Sequence, residues 1–142
     1  MRALLDVNVL IALLDADHAS HRAAWVWFRE HGKAGWASCP ITQNGCIRIL
    51  SHPGYPNTKS VTEVVERLRA ATDGAAHEFW TDSISLLDNT MVDATRVHGP
   101  KQLTDVYLLA LAVKNEGRFA TFDAAISLNA VKGATPEHLV RM

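Results

Sequence analysis

Most of what would narrow this 142-residue chain to a special class of protein is missing from it. Only two cysteines occur, Cys39 and Cys46, which build neither a disulfide framework nor a zinc motif. They read as small core residues in a reducing cytosol, which sets the expected location as cytoplasmic. No apolar run approaches the roughly 18 residues that span a bilayer, so no membrane role is expected. The opening stretch carries acids and no small-residue cleavage pattern, which argues against a secretory signal. A net charge of −1 supplies no overall cationic field to steer the chain toward nucleic acid, although segregated charge is still possible. Repeats, low-complexity tracts and linkers are absent too, so residues 1–142 are expected to form one domain.

What is present is an alternation of short apolar runs and helical periodicities. Residues 2–6 read as a buried parallel strand, and Asn8 is a candidate cap for the helix after it. A helix is expected from His18 to His31, then a strand over 35–38. Pro40 suits the first position of a helix that continues to His52. Ser60 and Glu63 form a capping-box signature before an amphipathic helix of Val61, Val64, Val65 and Leu68. A strand at 77–80, a short helix near 87–96, a helix from Asp105 to Glu116 capped by Thr104, a strand at 118–123 and a last strand at 138–141 complete the reading. Strands alternating with helices imply a parallel sheet of four or five strands covered on both faces.

Three acids hold the functional signal. Asp6 and Asp123 close apolar strands, and Asp105 opens an almost wholly apolar helix. Ligands of open α/β sheets bind at the carboxyl ends of the strands, and a helix start favours an anion. Each acid alone is an ordinary loop or first-turn carboxylate. Together on one rim, they favour a shared Mg²⁺ or Mn²⁺ site able to polarise a phosphodiester. Asn8, Thr104 and Thr121 are candidates for hydrogen bonds near it, with a helix cap as the equal alternative for Asn8 and local backbone bonding as the plainer role for the two threonines. Arg48, Arg96 and Lys101 are candidates for phosphate contacts, with surface solvation as the plainer role for each. His18 and His21 read as surface residues. Trp25, Trp27, Phe28 and Trp36 read as core or as an interface anchor.

The segments MRALLDVNVLIALLD, WASCPITQNGCIRIL with SHPGYP, and LTDVYLLALAVKNEGRFATFD resemble, in that order, the PIN-domain ribonucleases of the VapC toxin type. The resemblance runs over nearly the whole chain. It implies a three-layer α/β/α sandwich, Mg²⁺ with Mn²⁺ as a substitute, and endonucleolytic cleavage of structured RNA such as tRNA or rRNA. It also implies a cognate antitoxin and a homodimer. Asp6, Asp105 and Asp123 match three of the family's four acids. The fourth, usually Glu, falls on Gln43. That amide either bonds a neighbouring loop or stands in for the carboxylate without its charge. A catalytically silent binder of RNA or antitoxin is therefore the rival reading. A haloacid-dehalogenase-type phosphatase is rejected, because Asn8 occupies the place of its second Asp.

Overall fold

The computed structural model describes residues 1–142. Five strands, β1 (Ala3–Leu5), β2 (Trp36–Ser38), β3 (His77–Phe79), β4 (Arg118–Thr121) and β5 (Leu139–Arg141), pair in the order β3-β2-β1-β4-β5. All four pairings are parallel. The helices are α1 (Val7–Leu14), α2 (His21–His31), α3 (Pro40–Leu50), α4 (Val61–Thr72) and α5 (Leu103–Lys114).

The two-residue period of the strands divides the core. Ala3, Leu5, Trp36 and Ala120 face Val9 and Leu10 of α1, Cys46 and Leu50 of α3, and Val64 and Leu68 of α4. Leu4, Ala37 and Phe119 face the other way, against α5 and the buried Trp80, Val92 and Ile126. This is the expected three-layer α/β/α sandwich. In α5, every residue from Val106 to Ala112 is buried, as its all-round apolar character requires. Burial pushes both thiols up, Cys46 to about 12, so they are inert core groups. No helix is long and apolar enough to cross a membrane.

Several local expectations are corrected. The cap of α1 is Asp6, whose carboxylate accepts from Val7 N at 2.7 Å, and Asn8 lies inside the helix. Thr104 is likewise inside α5, which starts at Leu103. The second helix begins at His21 rather than His18, because His18 Nδ1 accepts from Ser20 N in the turn before it. No helix forms over 87–96 apart from a 3₁₀ turn at Ala94–Arg96. There Asp88 and Asp93 each accept from a backbone N–H two residues on, at Thr90 and Thr95, and these side-chain turns compete with helix. Only half of the capping box forms. Ser60 Oγ accepts from Glu63 N at 3.1 Å, while the Glu63 carboxylate lies 3.8 Å from Arg67.

Candidate active site

Strand register brings the acids together. Leu5 pairs with Ala120, and Asp6 N donates to Ala120 O at 2.9 Å, so the chain leaves β1 and β4 side by side. Asp6 is buried and doubly held, by Val7 N on one oxygen and by Thr121 Oγ1 at 2.6 Å on the other. The fully buried Thr121 hydroxyl also accepts from Asp123 N at 3.0 Å. Asp123 Oδ1 in turn accepts from Ala125 N at 2.8 Å. One threonine thus positions two of the acids. The spacing Thr-x-Asp at a strand end was the available signal, since alternate residues share a face.

Asp105, in the first turn of α5, completes the group. Desolvation, the charge of Asp6, and a hydrogen bond and charge from Asp123 push its carboxyl up to about 7. Asp6 is also raised, chiefly by burial and further by Asp123, against the lowering effect of Thr121 and Val7. Asp6 and Asp105 are therefore both held back from ionising, an arrangement that favours a shared proton or a cation.

The donor set suits a hard divalent ion. It is all oxygen, and Asn8 Oδ1, two residues beyond Asp6, is buried with no hydrogen-bond partner. No group of three or more His, Cys, Asp or Glu side chains is arranged to hold a metal by itself.

Gln43 is not hydrogen-bonded to the three acids. Its Nε2 donates to Ser38 Oγ at 2.9 Å, and Ser38 Oγ lies 2.8 Å from His77 Nε2. The amide nitrogen is thus tied to the ends of β2 and β3. Gln43 Oε1 accepts no hydrogen bond within the chain. His77 is held below its ordinary value, mainly by burial, so the ring is neutral near pH 7.

Sequence reasoning did not assemble the cleft beside the acids. About 160 Å³ is enclosed by Asp105, Asp123, Arg96, Lys101, Gln102 and Ser127 over a floor that includes Val106 and Ile126. Arg48 lies elsewhere, in a surface hollow with His52 and Tyr55. His18 and His21 make local bonds only, His21 Nδ1 to Ala12 O at 2.7 Å. Of the aromatic residues, Trp36 is buried with the Phe28 ring 5.8 Å away, while Trp25 is 41% exposed over an apolar hollow.

A parallel α/β/α sandwich with acids gathered at its strand ends narrows the class to proteins that use carboxylates at a sheet rim. No family model matches the chain. Individual proteins do. It is 54% identical to Ribonuclease VapC44 of Mycobacterium tuberculosis over the full length of both chains. It is 40% identical to Ribonuclease VapC39 of the same organism, over 94% of this chain and 96% of that protein. Ribonuclease VapC38 is 35% identical over 97% of each. The chain belongs to the VapC ribonuclease family.

Proposed function

We propose that this protein is the endoribonuclease toxin of a toxin–antitoxin pair, dependent on Mg²⁺ or Mn²⁺ and acting on structured RNA such as tRNA or rRNA. The observation that carries the reading is the gathering of acids at one rim of the sheet, where Thr121 ties Asp6 to Asp123 and Asp105 lines the adjoining cleft with Asp123. Acids collected at such a rim without a cationic partner are a feature of functional sites. Asp6, Asp105 and Asp123 would hold the cation, with Asn8 Oδ1 beside them. A bound ion supplies Lewis-acid stabilisation of charge on a phosphodiester.

The chain's own groups divide the remaining work. Asp6 is fixed by Thr121 and by the α1 backbone, so it orients. Asp123 is fixed by Thr121 and Ala125 in the same way. Asp105, whose proton is retained by burial and by the charges of Asp6 and Asp123 in the metal-free site, would give it up on binding the cation. A cognate antitoxin and a second copy of the chain are the partners proposed.

Incubating the protein with cellular RNA, with Mg²⁺ or with chelator, tests the reading. Cleavage is expected only with metal, and Asp105→Asn should remove it. One observation favours a second reading, a silent member that binds without cutting: position 43 carries a neutral amide whose nitrogen is engaged by Ser38. Intact RNA in the presence of Mg²⁺ would select that reading.

A further inference from the structure

The cleft at the acids is lined by groups of both signs, Asp105 and Asp123 together with Arg96 and Lys101. Lys101 is exposed, and makes no ion pair or hydrogen bond with either acid although it shares their cleft. Its place is fixed by the 3₁₀ turn Pro100–Gln102 that runs straight into α5. The Gln102 side chain secures that turn by accepting from His98 N at 2.9 Å. Arg96 closes the other 3₁₀ turn, with its Nε 3.3 Å from Asp93 Oδ2. Both Arg96 Nη nitrogens are left without a partner in the chain. Asp93 offsets part of the Arg96 charge, so Lys101 carries the larger share.

Lys101 and the partly offset Arg96, sharing a cleft of about 160 Å³ with two acids, suit a ligand that brings its own negative charge. Val106, Ile126 and Ala130 supply the apolar part of the same lining. We propose that Arg96 and Lys101 form a phosphate subsite, which holds the RNA backbone phosphate adjoining the phosphodiester presented to Asp105 and Asp123. The proposal rests on the ribonuclease reading above. Contacts of this kind set the register of the strand and carry no base information.

The test is steady-state cleavage of RNA with Mn²⁺ by Lys101→Ala, Arg96→Ala and the double variant. Binding of a fluorescein-labelled single-stranded RNA is followed alongside as salt is varied. KM should rise about fivefold to tenfold for Lys101→Ala with kcat nearly unchanged, and the slope of log affinity against log salt should fall by about 0.7 per cation removed. Lys101→Arg should restore most of the affinity, because either cation meets a phosphate. Lys33→Ala, at the far end of the sheet before β2, should change nothing. The Mn²⁺-induced rise in Tm should survive in every variant. Unchanged KM and salt slope in the double variant, with the parent protein cleaving normally, overturns the subsite alone. Loss of the Mn²⁺ response in Lys101→Ala overturns it too, by showing a structural role. A parent protein that neither binds nor cuts RNA overturns the ribonuclease reading and this proposal with it.

Discussion

Replacing Asp105 with Asn should make the metal-free protein more stable at alkaline pH, although it removes a residue of the site. The Asp105 carboxyl stands at about 7 in the fold against an ordinary 3.8. A raised value means that the unfolded chain gives up this proton at lower pH than the native state does. Stability from this group is therefore full below about pH 4, declines up to about pH 7, and is flat beyond. At roughly 1.4 kcal/mol per pH unit the gross effect is about 4 kcal/mol. Asp105 is only half-buried, so solvent screening reduces that to about 1–2 kcal/mol. The amide of Asn matches the carboxyl in size and cannot ionise. Thermal unfolding in chelator should then show Asp105→Asn melting about 3–6 °C above the parent at pH near 8, and close to it at pH near 4. Added Mn²⁺ should narrow the difference at pH near 8 by stabilising only the parent. Equal or lower Tm for the variant in chelator at alkaline pH would refute the claim that the three acids repel one another.

Further outcomes follow from other contacts. Thr121→Val removes a buried hydrogen bond to a carboxylate and strands Asp123 N, so it should cost about 2–3 kcal/mol in urea unfolding; a loss under about 0.5 kcal/mol would contradict the link it makes. Gln43→Glu restores a charge that the site lacks and should raise the RNA cleavage rate at least about tenfold, near 1.4 kcal/mol; an unchanged rate and metal dependence would place position 43 outside the site. At Gly117 an added Cβ would sit 2.6 Å from Arg2 O and from the Trp80 ring, so Gly117→Ala should destabilise by about 2 kcal/mol or more, and an unshifted Tm would show that β1 and β4 can part there.

The parts of the site that were legible in the sequence are those set by local pattern. The apolar runs ending at Asp6 and Asp123 are strands because Ala3, Leu4 and Leu5 in one and Phe119 and Ala120 in the other are buried on both faces, and the acids fall where such runs must stop. The α5 helix was readable from its unbroken apolar stretch. Helix starts were less so, because Asp6 caps α1 in place of Asn8, and a strand-end acid and a helix cap look alike in one dimension. The 87–96 segment carries helix-compatible residues, but Asp88 and Asp93 spend their side chains on their own backbone. The cleft was invisible, since Arg96, Lys101 and Asp123 are brought together only by tertiary packing. Gln43 is a more local case: its helix position was readable, and its bond to Ser38 spans only five residues, across the short turn from β2 into α3.

The most direct measurement is a Mn²⁺ titration followed by thermal unfolding, comparing the parent with the Asp6→Asn, Asp105→Asn double variant. A shared cation site predicts that the parent gains stability with metal, by about 2.7 kcal/mol at a hundredfold excess over Kd, and that the double variant gains none. The same rise in both proteins would contradict the account, because the cation would then be held somewhere other than at these acids.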